Sequence, residues 1–458
     1  MQDTIVAIST PPGEGAIGIV RISGTDALSI INKIFRTKLG EPVRITPRKV
    51  HLGNITDPAT GIPLDEVLVT FMKAPNSYTT QDVIEINCHG GPIVLKNVLD
   101  LITTCGARIA APGEFTLRAF LGGRIDLAQA EAVMDVIRSR TDRACRVALS
   151  QLKGELSELI DRLREDLLDF ILQLEVRMDF CEDDVAPLDA DFKNKRVKEI
   201  INEIDKILAS FEKGKIFREG LRTCIAGPPN VGKSTLLNTL LGKERAIVTH
   251  LPGTTRDSIE ETINLKGIPL VLIDTAGIRK SNDLVENIGI KRTMEEAENA
   301  DVVILVLDAS IPEVPDLAEM IGFAAPEKTM LVLNKTDLGV NYPRRFLEGI
   351  FPAERITEVS LKNKENIESI ENILLNMVFK GDISAASEVI LSNSRHRDAL
   401  VKTRRCLENA AESINKGLAD DFVTIDLNAA LEALGEITGK VYYNDLLDRI
   451  FKNFCIGK

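Results

Sequence analysis

Leu221-Arg222-Thr223-Cys224-Ile225-Ala226-Gly227-Pro228-Pro229-Asn230-Val231-Gly232-Lys233-Ser234 runs from a short apolar segment through a glycine-rich turn toward a helix that begins near Lys233. It matches G-x-x-x-x-G-K-[ST], and it lies between a strand candidate and a helix candidate, where the chemistry of that loop requires it. Backbone N–H groups of such a loop wrap phosphates and the helix N-terminus adds its positive end. Lys233 neutralises the β- and γ-phosphates, and the Ser234 hydroxyl is placed to ligate Mg2+. A glycine-rich turn without function is the bland alternative, and the strand and helix on either side argue against it.

Working outward, strand candidates at Pro269–Ile273, Val302–Leu307 and Met330–Leu333 follow Leu221–Ala226, separated by segments of helix length. Such alternation predicts a parallel sheet wound with helices over residues 220–380. Asp274-Thr275-Ala276-Gly277 follows one strand, which puts a carboxylate near the metal and a glycine N–H toward the γ-phosphate. Asn334-Lys335-Thr336-Asp337 ends another strand, and a carboxylate at Asp337 accepts from both N1–H and the exocyclic amine of guanine. Adenine lacks that donor pair, so the expected ligand is GTP. Ser360-Leu361-Lys362 resembles a serine-alanine-lysine base-binding segment, with leucine in place of alanine.

Ile278 stands where many nucleotide hydrolases carry a water-orienting glutamine, so another residue must serve. Between the phosphate loop and Asp274 lies Gly253-Thr254-Thr255-Arg256-Asp257, in which one threonine hydroxyl can complete a magnesium shell when the loop closes.

Outside this region, residues 1–122 mix Val/Ile-rich runs (17–22, 66–71, 82–87) with Gly/Pro punctuation and a helix near Ile93–Thr103, which reads as a small α+β domain. Leu152, Leu156, Leu159, Leu163, Leu167, Ile171 and Leu174 recur at helical spacing and predict one long amphipathic helix; a second helical stretch covers Phe192–Lys213. Helical periodicity returns at His396–Ile414 and Leu427–Leu434. The simplest arrangement makes 123–219 and 381–458 two segments of one helical domain, with the α/β domain inserted between them.

The chain has 458 residues, 44% of them hydrophobic, too many for one ordinary core. The N-terminal Met1-Gln2-Asp3 lacks a basic signal region and no apolar run reaches bilayer length, so a cytoplasmic location without membrane association is expected. Seven scattered cysteines fit reduced thiols better than a disulfide framework. A formal net charge of -12 argues against a protein that coats nucleic acid, while leaving room for a local basic groove.

The phosphate-loop motif, Gly253–Asp257, Asp274-Thr275-Ala276-Gly277-Ile278-Arg279 and Cys455-Ile456-Gly457-Lys458 occur together, and in this combination the chain resembles the MnmE (TrmE) family of tRNA modification GTPases. The resemblance spans essentially the whole chain, through Gly15–Gly24, Pro112-Gly113-Glu114-Phe115-Thr116 and Asp126–Ala132. It implies an N-terminal folate-binding domain that also forms a homodimer, a discontinuous helical domain and an inserted P-loop GTPase domain. It further implies an FAD-binding partner of the MnmG type in a hetero-oligomer. The two would add an aminomethyl or carboxymethylaminomethyl group at C5 of the tRNA wobble uridine, drawing on a 5-formyl or 5,10-methylene tetrahydrofolate.

By the same resemblance the GTP-binding residues are Asn230, Val231, Gly232, Lys233, Ser234 and Thr235, then Thr249, His250, Leu251, Pro252, Gly253, Thr254 and Thr255, then Asp274, Thr275, Ala276 and Gly277, with Asn334, Lys335, Asp337, Ser360, Leu361 and Lys362 for the base. Ser234 and Thr255 match the magnesium ligands. Asn230, Thr249, Leu251 and Thr254 match a potassium site that replaces an arginine finger. Glu286 matches the residue that orients the attacking water through a second water, and Lys233 shares the catalytic role. Arg21, Glu85, Arg124 and Lys458 match the folate-binding positions, although the family often has lysine where Arg124 stands. Cys455 is open to a role in the modification chemistry or to none, and Lys458 as last residue argues against a prenylation box. The rival reading is a GTP-dependent RNA-binding switch or ribosome-assembly factor, for which the N-terminal segment and the Cys-Ile-Gly-Lys end have no evident use.

Overall fold

The computed structural model describes residues 3–37, 39, 41–42, 45–179, 188–243, 261–273, 297–312, 325–341, 344–379 and 391–458. These divide into two compact units, one of Met1–Met134, Ser157–Arg164 and Leu431–Lys458, the other of Asp135–Leu156 and Glu165–Ala430.

The first unit is built on β1 (Ile5–Ile8), β2 (Gly15–Ser23), β3 (Phe35–Arg36), β4 (Val50–Thr56), β5 (Pro63–Met72), β6 (Val83–Gly90) and β7 (Arg108–Ile109), in the order β3-β4-β5-β6-β2-β1-β7. Strand alternation turns Val20, Ile22, Val69, Phe71, Ile84 and Ile86 to one face. Helices α1 (Ala27–Ile34) and α2 (Pro92–Thr104) cover that face with Ile30, Ile31, Leu95, Val98 and Ile102. The expected runs at 17–22, 66–71 and 82–87 lie within β2, β5 and β6, apart from Asp82, one residue ahead of β6.

Helix α3 (Glu114–Leu121) is fixed by a buried carboxylate. Glu114 Oε1 accepts from Arg108 at 2.7 Å and Arg118 at 2.9 Å, and Oε2 accepts from the Ala111 N–H at 2.9 Å. Burial pushes the Glu114 carboxyl up, but Arg108, the Ala111 N–H and Arg118 outweigh it and hold the group below the ordinary carboxylate range. The network gives the Pro112–Thr116 motif its physical meaning, because it seats Phe115 against Ile5, Ala7 and Tyr78. After α4 (Leu127–Arg138), the unit is completed by the helix Asn444–Lys452, whose Leu447 and Phe451 pack with Phe120, Leu127, Met134 and Phe454.

The second unit contains helices α5 (Asp142–Lys153), most of α6 (Glu155–Asp179), α7 (Ala190–Ala209) and α8 (Phe211–Glu219), and a six-stranded sheet. A single helix through Leu152–Leu174 is corrected: Gly154, left-handed at φ 95, ends α5, and α6 starts afresh. The stretch 192–213 is likewise two helices, parted at Ser210. Apolar periodicity carries across both breaks, so spacing alone does not reveal them.

The sheet comprises β8 (Leu221–Ala226), β9 (Glu261–Leu265), β10 (Ile268–Ile273), β11 (Val302–Asp308), β12 (Thr329–Asn334) and β13 (Ile356–Glu358), ordered β13-β12-β11-β8-β10-β9. Every neighbouring pair is parallel except β9–β10. The four expected strands pair in parallel, and β9, which the strand–helix alternation does not predict, adds antiparallel at one edge, where Lys266 (φ 48) and Gly267 (φ 93) form a tight hairpin turn. Helix α9 (Lys233–Lys243) begins at the expected residue.

Chain segments on both sides of this sheet in sequence pack as one helical layer. Helix Ser394–Asn415 lies along α7, Arg404 pairs with Asp205 at 2.8 Å, Lys193 pairs with Asp420, and Gln151 donates to Ser392 at 3.0 Å. The molecule is therefore multidomain, with an α/β domain inserted into a discontinuous helical one. No helix among the described residues is long and apolar enough to cross a membrane.

Candidate functional site

The carboxyl ends of β8 and β12 bring the phosphate loop and the Asn334 turn to one edge of the sheet, where open α/β sheets bind ligands. Asn334, 4% exposed, donates through Nδ2 to the Val231 carbonyl at 2.7 Å and accepts through Oδ1 from the Leu361 N–H at 3.1 Å. One side chain thus ties the glycine-rich loop to the Ser360–Lys362 loop. Gly232 (φ +107) permits this approach, since a Cβ there would sit 2.3 Å from Asn334 Nδ2.

Lys233 donates from Nζ to the Gly227 carbonyl at 2.7 Å and the Pro228 carbonyl at 2.6 Å, and burial holds its ammonium below the ordinary lysine range. Ser234 and Thr235 are exposed on the first turn of α9, and Asn230, also exposed, is left-handed at φ 63. Ser360 Oγ donates to Asp337 Oδ1 at 2.8 Å, leaving Asp337 itself exposed. Leu361 resolves the departure from alanine: its side chain, 3% exposed, anchors the loop in the same core as Val231, and its backbone N–H meets Asn334. Lys362 is exposed beside it. Lys335 pairs with Asp308 at 2.7 Å. Thr249, His250, Leu251, Pro252, Gly253, Thr254, Thr255, Asp274, Thr275, Ala276, Gly277 and Glu286 lie outside the described residues.

A second cluster forms in the other unit. Arg21 and Glu85 are directly opposed in the β2–β6 register, and both Nε (2.9 Å) and Nη2 (2.8 Å) of Arg21 reach Glu85 Oε1. The chain end folds onto this pair: the Gly457 carbonyl accepts from Arg21 Nη1 at 3.3 Å and from Ser9 Oγ at 3.2 Å. Gly457 (φ +95) lies so close to β1 that a Cβ would meet the Ile8 carbonyl at 2.5 Å. Burial first, and then the neighbouring Arg21 charge, hold Lys458 below the ordinary lysine range, against the opposing pull of Glu85 and Cys455. The chain end at Gly457 therefore meets the Arg21–Glu85 pair although they are distant in sequence, and it carries Lys458 close enough to feel both charges.

Arg124 joins them through Tyr78, with its guanidinium 4.8 Å from the ring centre. Arg21 lies 5.7 Å from the same ring and 5.7 Å from Phe115, while Tyr78 Oη pairs with Thr116 Oγ1 at 2.9 Å. Sequence reasoning did not mark Tyr78, which sits in no motif; the Pro112–Thr116 run was the available signal. Asp308 also went unmarked, although a carboxylate closing a wholly apolar strand is unusual enough to find.

A family model described as the N-terminus of the GTP-binding protein TrmE matches residues 4–124, and one described as the MnmE helical domain matches residues 127–455. The chain is 48% identical over 457 residues to the tRNA modification GTPase MnmE of Thermoanaerobacter pseudethanolicus, covering 100% of this chain and 99% of the relative. It is also 48% identical over 459 residues to that of Alkaliphilus oremlandii, covering 100% of both chains. Matched along its whole length by relatives of one kind, and by family models on both sides of residue 125, the chain belongs to the MnmE family of tRNA modification GTPases.

Proposed function

We propose that the chain hydrolyses GTP and, with an FAD-dependent partner of the MnmG type, adds an aminomethyl or carboxymethylaminomethyl group at C5 of the tRNA wobble uridine, with 5-formyl or 5,10-methylene tetrahydrofolate as one-carbon donor. The observation that carries this reading is the return of the Cys455–Lys458 end to Arg21 and Glu85, which a plain RNA-binding switch does not need. In a strain lacking the gene, mass spectrometry of wobble nucleosides is expected to show uridine in place of the modified base. An unchanged profile overturns the reading in favour of a ribosome-assembly factor.

In the G domain, proposed as residues 220–380, Lys233 neutralises the phosphates and Asn334, Lys335, Asp337, Ser360, Leu361 and Lys362 hold guanine, with Asp337 accepting its two N–H groups. Residues 1–122, 123–219 and 381–458 are the proposed N-terminal domain and the two helical segments. The exposed Ser234 hydroxyl on the first helical turn suits a hard cation that prefers oxygen donors. With Thr255 it is the proposed Mg2+ site; the ion supplies charge neutralisation at the transferred phosphate. Asn230, with Thr249, Leu251 and Thr254, is proposed to hold K+, and Glu286 to position water. GTP turnover is expected to run roughly tenfold or more faster in potassium than in sodium at equal ionic strength, about 1.4 kcal/mol in the barrier. Asn230→Ala removes the difference; equal wild-type rates in the two salts contradict the assignment.

In the N-terminal domain, Glu85 suits the hydrogen-bond donors of a pterin, Arg21, Arg124 and Lys458 suit a carboxylate tail, and the partly buried Tyr78 supplies an aromatic wall. Leu52, Leu68, Asn87 and Ile19 form one cross-strand row, and Val50, Thr70, Glu85 and Arg21 the next, on the sheet face away from α1 and α2. Val50 (63%), Leu52 (55%) and Leu68 (41%) are exposed there, which supports a homodimer formed through this face. The chain is proposed to work in the cytoplasm. Glu85→Ala, and a chain lacking Cys455–Lys458, are each expected to bind 5-formyl-tetrahydrofolate roughly tenfold or more weakly, as loss of a charge-assisted contact requires. GTP turnover reports folding, and full affinity in both variants with turnover intact contradicts the pocket.

A further inference from the structure

Strand β11 ends in a carboxylate that the GTPase reading leaves unused. Six apolar residues, Val302–Leu307, lead to Asp308, and all seven are buried. The parallel register sets Asp308 opposite Asn334, and the Ala309 N–H donates to the Asn334 carbonyl at 2.7 Å. The backbone thereby delivers the carboxylate to the flank of the Asn334–Asp337 turn.

Lys335 is left-handed, at φ 66 and ψ 35, a conformation unfavourable for a residue with a Cβ. Its ammonium reaches Asp308 Oδ2 at 2.7 Å. The other oxygen, Oδ1, accepts from Ser310 Oγ at 2.6 Å and the Ser310 N–H at 3.0 Å. Asn341 braces this turn by donating to the Ser310 carbonyl and the Ala309 carbonyl, each at 2.9 Å. The Asp308 side chain is 8% exposed. Burial pushes the Asp308 carboxyl up, but the bonds from Lys335 and Ser310 outweigh it and keep the group ionised at neutral pH.

We propose that Asp308 is a positioning residue for guanine nucleotides: it pins the Lys335 ammonium so that the lysine stem stands as a fixed wall of the base site. The inference rests on the reading of Asn334–Asp337 as that site. A stem held at its backbone by the left-handed turn and at its tip by a buried ion pair loses little further freedom when a nucleotide arrives. The base is held alike in the ground and transition states, so the contribution appears in affinity and KM rather than in the chemical step.

The test uses a fluorescent GDP and steady-state GTP turnover with the full-length chain. Asp308→Asn is expected to weaken GDP and raise KM by roughly tenfold, with kcat at saturating GTP within about twofold of wild type. Lys335→Met, which keeps an apolar stem and loses the anchor, is expected to weaken GDP similarly, and the double variant no further. Wild-type affinity in Asp308→Asn, or an equal further loss when it is added to Lys335→Met, overturns the proposal. Should Asp308→Asn not fold, wild-type affinity in Lys335→Met overturns it instead. Asp337→Asn separates the two readings: if it leaves GDP affinity unchanged, the base site itself is misassigned, and if it alone weakens GDP, only the role of Asp308 fails.

Discussion

The nucleotide end of this protein depends on one buried amide. Asn334 must give a hydrogen bond to the Val231 carbonyl and take one from the Leu361 N–H, and among side chains a primary amide supplies that donor and acceptor on one short, uncharged group. The rest of the α/β domain is arranged to let it do so. Parallel strands β8, β11 and β12 end at the same edge, and Gly232 leaves room for the amide to approach. Leu361, sunk in the core, keeps its N–H pointing at the same place. On the proposed assignment, phosphate binding and base recognition are not built independently, because the loop proposed to wrap phosphate and the loop proposed to border the base share a side chain.

The N-terminal unit solves a similar problem with charge. Arg21 and Glu85 face each other across adjacent strands, and the chain end is brought to them by the apolar packing of Phe451 and Phe454 and by the tight fit of Gly457 against Ile8. Three cationic side chains and a carboxylate are gathered where the sheet alone would offer one ion pair. The buried Glu114 network anchors α3, which keeps Phe115 and Thr116 against the same cluster.

Much of this was legible in the sequence, for physical reasons. Strands β10, β11 and β12 carry near-continuous apolar runs because both faces are covered, and the phosphate loop follows from its glycines and lysine together with their strand and helix neighbours. Arg21, Glu85 and Lys458, by contrast, are solvated charges on any local reading, and only the shared family motifs singled them out. Gly154 and Ser210 interrupt helices whose apolar spacing continues past them, so periodicity joined what the backbone separates. Strand β9 was missed because it pairs antiparallel at an edge, outside the strand–helix alternation. Tyr78 meets Thr116, and Asp308 meets Lys335, across long sequence separations that no short window of the chain spans.

The most direct measurement is calorimetric titration of GDP and of a non-hydrolysable GTP analogue against Asn334→Ala, with 5-formyl-tetrahydrofolate binding as the check on folding. The amide's two buried hydrogen bonds, at roughly 1–1.5 kcal/mol each, predict that both nucleotides bind about 30- to 150-fold more weakly while the folate analogue is unaffected. Nucleotide affinity within about threefold of wild type, less than one such bond is worth, would contradict the dependence of both loops on this residue.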